Sequence, residues 1–230
     1  MNDLNIQPLA PQPSLTEQAY AAIARMLLDG TLKPDSQTSI RELAGELNVS
    51  PMPVREAVGR LVAQGALAVR RNRAVEVPRM TEDEFRELTR TRILMECEAA
   101  RLAVDRITDS TAGELRALHE AFRLEMTGGS RADALMLNRR LHFTLYDAAS
   151  SPTLRQLIGM AWLRAGPLIS LDIGPTAQSD RAGHSIIAHG HLIVAVAARD
   201  RDAAAEAIRS DISVAAEAIL AQRDYFNRKE

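Results

Sequence analysis

The chain has 230 residues, of which 46% are hydrophobic and 25% are charged, a composition typical of globular proteins and not of disordered ones. It has a single cysteine and no apolar run approaching the about 18 residues of a membrane span, which argues against a disulfide-stabilised scaffold and a transmembrane protein. The net charge of −2 does not by itself indicate nucleic-acid binding. We expect no signal peptide, no membrane partner and a cytoplasmic location.

Capping signals divide the first part of the chain into short helices. Residues 1–13 contain three prolines and little periodicity, and we expect this lead-in to be disordered. A serine or threonine followed three residues later by glutamate is a capping box that begins a helix. Capping boxes begin helices at Ser14 and Ser39, and Ser50 followed by Pro51 begins a third.

Two short β-prone runs follow the third helix. Residues 67–69 and 74–77 flank an arginine-rich turn, which predicts a β-hairpin. Three helices followed by a hairpin is the order of elements in a winged helix-turn-helix, and we predict this fold for residues 14–78. The third helix of such a domain lies in the major groove of double-stranded DNA.

The helices and the hairpin supply the candidate DNA contacts. Arg55 lies early in the third helix and can donate two hydrogen bonds to a guanine, while Arg41 on the second helix can reach phosphate or base. The alternative is that both are surface arginines paired with glutamates such as Glu42, Glu46 or Glu56. The complete set of predicted DNA-binding residues is Arg41, Ser50, Pro51, Met52, Arg55, Arg70, Arg71 and Arg73.

The pattern is helical from Thr81 onward, where a further capping box begins the first long helix. The predicted helices lie near residues 81–106, 109–127, 131–149, 151–173, 180–199 and 202–227. Six helices of this length can bury a common core in an antiparallel bundle. The predicted fold class is therefore mostly α, with a winged helix-turn-helix followed by an all-α domain over residues 79–230.

Four polar residues on the predicted helices could form a metal site. Asn138 and His142 lie one helical turn apart on the same face, His189 lies mid-helix among apolar residues, and Asp211 lies on the last helix. Two imidazoles and two oxygen donors can hold a divalent transition metal and leave positions for water or a carboxylate. Such histidines are more often hydrogen-bonded core residues, and a polar ligand pocket without metal is a further alternative.

Arg92 is the main candidate for binding an anionic ligand. It lies among apolar residues on the first long helix, and a guanidinium that faces a bundle interior needs an anionic partner. Glu96, four residues later, could be that partner instead of a ligand. Arg164, beside Trp162 on a later helix, is a second candidate for the same role.

Short motifs at fixed spacing carry a family resemblance in the N-terminal region. They are Arg41-Glu-Leu-Ala44, Val49-Ser50, Pro53-Val-Arg-Glu-Ala57 and Gly65-Ala-Leu67. Together they resemble the DNA-binding domain of the GntR superfamily. The resemblance implies that Arg41, Arg55 and the residue after the turn serine make the main operator contacts. Here that residue is Pro51, where the family usually has arginine, and Ala74 stands where the wing usually has glycine.

Looser motifs extend the resemblance to residues 81–225: Arg92-Ile-Leu-Met-Glu96, Asn138 to Phe143, and His189 to Asp200. They resemble the FCD ligand-binding domain, the FadR C-terminal type. The resemblance implies a metal held by Asn138, His142, His189 and Asp211. Asn138 stands where the family has aspartate and Asp211 where it has histidine, which makes manganese a candidate beside zinc and nickel.

The predicted function combines DNA binding with metabolite sensing. We expect a bacterial, nucleoid-associated homodimer that represses transcription by binding a near-palindromic operator. A small carboxylate bound with the metal and Arg92 would control its operator affinity. We do not expect an enzyme. The alternatives are a metal-dependent enzyme, in which His142, His189 and Asp211 activate water for an organic acid, and a DNA-binding dimer without an effector.

Overall fold

The chain folds around two main hydrophobic cores, one toward each end of the sequence. A computed structural model describes residues 12–71, 74–172 and 181–226. The N-terminal core includes the fully buried Ile23, Leu27 and Leu61, and the C-terminal core includes the fully buried Phe122 and Leu141. The predicted fold class is confirmed, since a small winged helix-turn-helix precedes an all-helical domain.

The N-terminal domain combines three helices with a three-stranded antiparallel sheet. Ser14 and Ser39 form the predicted capping boxes at the first two helices. The strands lie in the order β1-β3-β2, and β1 pairs with β3 through Thr38 opposite Val75. The hairpin of β2 and β3 was predicted, whereas β1 was not. The elements are α1 (Leu15–Leu28), β1 (Gln37–Ser39), α2 (Ile40–Glu46), α3 (Pro51–Ala63), β2 (Ala68–Val69) and β3 (Ala74–Glu76).

All the regular secondary structure described in the C-terminal domain is helical. Its first five helices begin and end within two residues of the predicted bounds. No helix among the described ranges is long and apolar enough to cross a membrane. The elements are α4 (Glu82–Arg106), α5 (Asp109–Gly128), α6 (Arg131–Ala148), α7 (Pro152–Asp172), α8 (Arg181–Ala197), α9 (Arg201–Leu220) and α10 (Arg223–Phe226).

The predicted final helix over residues 202–227 is wrong at its end. It stops at Leu220, and the short α10 follows. The physical reason is tertiary packing: the Phe226 ring lies 6.1 Å from that of Phe85, and the Tyr225 hydroxyl accepts a hydrogen bond from the backbone N–H of Met80 at 3.3 Å. These contacts hold α10 against the start of the domain instead of letting α9 continue.

The two domains pack against each other where α1 meets α7. Leu163 of α7 belongs to the N-terminal core. Gly166, one turn later, allows the helix backbones to approach closely, because a Cβ atom there would lie 3.1 Å from the Cα of Leu28. The N-terminal domain is therefore seated directly on a helix of the C-terminal domain.

Candidate functional site

Arg41 and Arg55 line one concave surface of the N-terminal domain. This surface encloses about 660 Å³ and is also lined by Pro51, the first residue of α3, and by Ala74 at the start of β3. Three predicted DNA contacts, from two helices, thus share one surface that the wing borders. In a winged helix-turn-helix, this is the arrangement in which α3 enters the major groove.

Two of the glutamates near these two arginines are engaged elsewhere. Glu42 accepts a hydrogen bond from the backbone N–H of Ser39 at 2.7 Å, and Glu56 accepts one from the Thr16 hydroxyl at 2.8 Å. Among the described residues, neither Arg41 nor Arg55 forms an ion pair. The surface-pairing alternative is thus not realised, and both guanidinium groups can receive phosphate or base acceptors.

Ser50 is positioned as the N-cap of α3, but its hydroxyl makes no capping hydrogen bond. At α1 and α2 the capping serine accepts from the third helical residue. In α3 that residue is Pro53, which has no N–H to donate. The Ser50 hydroxyl at the start of the helix is therefore free of a capping hydrogen bond. Met52, two residues later, is 64% exposed.

The wing arginines differ in their surroundings. The Arg70 side chain is 59% exposed, and its Nε lies 2.5 Å from Oε2 of Glu76. Arg71 is exposed at the turn. Arg73 lies outside the described residues. Arg70 must therefore leave or share its ion pair to reach a phosphate.

Three of the four predicted metal ligands converge inside the C-terminal domain. Nε2 of His142 lies 3.2 Å from Oδ2 of Asp211 and 3.3 Å from Nε2 of His189. The three side chains are buried, and their ligand atoms all lie within 4.8 Å of one another. Asn138 is also buried, one helical turn before His142, and its amide makes no hydrogen bond to another described residue. Helices α6, α8 and α9 thus place two imidazole nitrogens and a carboxylate close together.

A chain of hydrogen bonds fixes the orientation of His142. Arg92 Nε lies 2.7 Å from Oε1 of Glu96, and the Tyr146 hydroxyl donates to Oε2 of the same carboxylate at 2.6 Å. Because a carboxylate only accepts, the Tyr146 oxygen is left to accept from Nδ1 of His142 at 2.9 Å. His142 therefore carries a proton on Nδ1 and directs Nε2 toward the other two ligand atoms.

This arrangement suits a cation beside Nε2 of His142. The Nε2 lone pair is directed toward the Asp211 carboxylate, whose Oδ2 lies 3.2 Å away. Oδ1 of Asp211 is buried without a hydrogen-bond partner among the described residues, as expected for a carboxylate oxygen that is free to bind a cation. The donor set fits a divalent metal, which satisfies three electron-rich atoms at once.

The electrostatics of the cluster follow from its burial. Burial lowers the pKa of His189 to about 3, so this imidazole is neutral at pH 7 and can ligate. Burial alone would raise the pKa of Asp211, but the hydrogen bond and charge of His142 hold it below its usual value. Burial and the neighbouring Glu96 raise the pKa of Tyr146 well above its usual value, which keeps the hydroxyl protonated as a donor.

Several residues of this site were missed from sequence. Tyr146 lies four residues after His142, a spacing that places both on one helix face and could have suggested the contact. Glu96 was considered only as a partner of Arg92. The His119 ring lies 6.3 Å from that of His189, and nothing in the local sequence of α5 indicates this contact.

Arg164, the second arginine predicted to bind an anionic ligand, does not join this cluster. Its side chain lies beside Gly65, where an added Cβ would be 3.7 Å from the guanidinium Nε, and its charge acts on Glu84. Trp162, two residues earlier, is the residue of α7 that faces the cluster, with its ring 5.0 Å from the Arg92 guanidinium carbon. The helical twist between positions 162 and 164 turns Arg164 toward the DNA-binding domain.

An arginine-lined winged helix-turn-helix seated on a helical domain with a buried polar cluster defines a class of protein, the DNA-binding transcriptional regulators. Residues 15–77 match the family described as bacterial regulatory proteins, gntR family, and residues 87–213 match the FCD domain. The chain belongs to the GntR family of transcriptional regulators, in the branch with an FCD domain. Members bind operator DNA and, through the FCD domain, small-molecule effectors. The matches identify a regulator and not an enzyme.

Similar proteins agree with this assignment. The HTH-type transcriptional regulator McbR of Escherichia coli strain K12 is 33% identical over 154 residues, covering 67% of this chain and 70% of McbR. The HTH-type transcriptional repressor RspR of the same strain is 30% identical over 141 residues, covering 61% of this chain and 62% of RspR. The solved structure of E. coli McbR/YncC superposes with a TM-score of 0.86 at 29% identity, covering 93% of this chain and all of that one.

Proposed function

We propose that this chain is a homodimeric repressor whose operator affinity falls when its C-terminal domain binds a small carboxylate together with a divalent metal. The observation that carries the proposal is the convergence of His142, His189 and Asp211 within 4.8 Å in an apolar core. The relative RspR is described as a repressor, which supports repression as the direction of regulation. The functional unit would read two operator half-sites with two copies of α3.

His142, His189 and Asp211 would hold the metal, with Asn138 as a further oxygen donor. Zinc, nickel and manganese all accept a mixed set of imidazole nitrogens and oxygens. When bound, the metal supplies a positive centre that attracts a carboxylate oxygen of the effector. The buried position of the cluster strengthens that attraction, because few water molecules screen it.

Arg92 is proposed to bind the effector while it remains paired with Glu96. Burial alone would lower the pKa of Arg92, but the Glu96 carboxylate outweighs this and raises it, so the guanidinium stays charged. Glu96 engages Nε and Nη2, whereas Nη1 has no hydrogen-bond partner among the described residues. The Trp162 ring, 5.0 Å away, supports one side of the group. The effector would therefore meet a guanidinium already held in place.

Helix α7 is the proposed link between the two domains. Trp162 contacts the cluster, since its ring centroid lies 5.3 Å from that of His142. The next residue, Leu163, is part of the N-terminal core. A ligand that shifts Trp162 would thus move the helix on which α1 is seated, and the spacing of two α3 helices in a dimer would change with it.

The DNA-facing residues would divide between base and backbone contacts. Arg41 and Arg55 are proposed to read base edges from the concave surface. The uncommitted Ser50 hydroxyl, Arg70 and Arg71 would contact phosphates, which position the domain without reading sequence. Pro51 and Met52 would then meet the groove with apolar surface.

Replacing Tyr146 with phenylalanine is expected to weaken zinc and manganese binding by about 10- to 100-fold. The hydroxyl accepts from Nδ1 of His142 and thereby directs Nε2 toward the metal position. Isothermal titration of metal into EDTA-stripped full-length protein measures the change, and the wild-type titration tests the proposed metal site itself.

The matched control is Tyr20→Phe. It removes a hydroxyl that donates to Gln64 within the N-terminal domain, away from the metal site, and it should leave metal affinity unchanged. His189→Ala should lose most of the binding. A wild-type chain that takes up neither metal contradicts the proposed function. If Tyr146→Phe binds metal as tightly as the wild type, the tyrosine does not orient His142.

A further inference from the structure

A second cavity lies between the two domains, apart from the buried polar cluster. It encloses about 430 Å³, within the usual size of small-molecule sites. Tyr20, Ala24 and Leu28 of α1 form one wall. Phe143 of α6 and Leu163 of α7 belong to the opposite wall. Any occupant of this interdomain groove would therefore contact both the DNA-binding domain and the helical domain.

The helical wall of the groove is rich in arginine. Arg140 lies 3.8 Å from Glu114, and Arg155 lies 2.6 Å from Asp147 with its guanidinium 4.0 Å from the Phe143 ring centroid. These two arginines already have carboxylate partners. The third, Arg139, differs from them.

Arg139 is half-buried and forms no ion pair or side-chain hydrogen bond to any residue in the described ranges. Burial, followed by the like charge of Arg25 on α1, lowers its pKa, while Asp29 acts in the opposite sense. A guanidinium that is partly removed from water and has no carboxylate partner carries an electrostatic cost. An anion beside Arg139 would offset that cost through charge-assisted hydrogen bonds.

We propose that the interdomain groove binds a small amphipathic anion, with an apolar or aromatic body against Phe143 and Leu163 and an anionic head group against Arg139. The apolar wall supplies burial for the body, and the arginines complement the charge of the head. This ligand is distinct from the carboxylate proposed for the metal site, because it needs neither the metal nor Arg92.

The test uses 2-naphthoate as the probe and full-length protein in EDTA, which removes binding through the metal site. Isothermal titration should show saturable binding of one naphthoate per chain. The uncharged 2-naphthamide, of nearly the same shape, should bind at least about tenfold more weakly, because it lacks the charge-assisted hydrogen bonds. Arg139→Gln should weaken naphthoate binding by a similar factor, and Arg139→Lys, which keeps the charge, should retain more affinity than Arg139→Gln.

The matched control is Arg116→Gln, which removes an exposed arginine of α5 outside the groove and should bind naphthoate as the wild type does. Equal binding of naphthoate and naphthamide, or wild-type binding by Arg139→Gln with its circular dichroism unchanged, would overturn the proposal. It is also overturned if naphthoate fails to bind. A changed sedimentation coefficient of Arg139→Gln in that case would instead identify the groove as an interface between copies of the chain.

Discussion

Replacing Glu96 with glutamine is expected to lower the free energy of unfolding of the metal-free protein by about 3–5 kcal/mol. Glu96 is fully buried, and its carboxylate lies 2.7 Å from the Arg92 guanidinium. Glutamine preserves the side-chain volume but leaves that buried guanidinium without its counter-charge. Urea unfolding in EDTA at fixed protein concentration measures the change, because stabilisation by metal and by dimer formation is then held constant.

The same helix offers a matched control. Glu98 lies two residues later, its side chain is 52% exposed, and it lies 4.0 Å from Arg101. Glu98→Gln should therefore cost less than about 1 kcal/mol. The double variant Arg92→Met, Glu96→Leu should recover part of the loss, since it removes both buried charges but leaves the Tyr146 hydroxyl without its carboxylate acceptor. Equal effects of the two glutamate substitutions would show that burial of the Arg92–Glu96 pair does not govern its energetics.

Replacing Arg55 with alanine should weaken operator binding by about 5- to 150-fold, which corresponds to the about 1–3 kcal/mol of a bidentate arginine–guanine contact. Arg55 lines the concave surface beside Arg41 and has no ion pair among the described side chains. Fluorescence anisotropy at one fixed salt concentration measures the affinity. The probe is a DNA duplex selected by the wild-type protein from a random library.

Arg60→Ala is the control on the same helix. The Arg60 guanidinium lies 4.2 Å from the Tyr20 ring centroid, and Arg60 does not line the concave surface. This variant removes the same charge from α3 but should retain the preference for the selected duplex over a scrambled one. Arg55→Ala should lose much of that preference. Full retention of both affinity and preference by Arg55→Ala would remove this residue from base recognition.

Local signals predicted most of the helices. The capping boxes at Ser14, Ser39 and Thr81 begin α1, α2 and α4 as expected, because a capping box is formed entirely by residues within one turn. The prediction from local sequence was incomplete at Ser50. It predicted the start of α3 but not the free hydroxyl, which follows from the absence of an N–H on Pro53.

Features that depend on contacts between distant segments could not be predicted in this way. Strand β1 has three residues and exists through pairing with β3, about 40 positions away, so no periodicity of its own marks it. The orientation of Arg164 depends on where α1 docks on α7. The apolar residues near it are equally compatible with the bundle interior and with a domain boundary.

The buried cluster was accessible from sequence only in part. Asn138 and His142 share a helix face by spacing, but His189 and Asp211 lie on other helices and were assigned through the family resemblance. The role of Tyr146 emerges from the structure, since its hydroxyl connects His142 to Glu96 across two helices at 2.9 and 2.6 Å. Spacing locates such residues on a face but does not identify their partners on other helices.

The most direct test of regulation by a metal and a carboxylate is the affinity for the selected duplex under three conditions: in EDTA, with zinc or manganese, and with the metal plus each member of a panel of small carboxylic acids. We expect at least one acid to weaken DNA binding about tenfold or more when metal is present, a coupling of about 1.4 kcal/mol. The effect should vanish in EDTA and in His189→Ala. DNA affinity that is unchanged by every acid, or that changes equally in EDTA, would contradict control through the His142, His189 and Asp211 site.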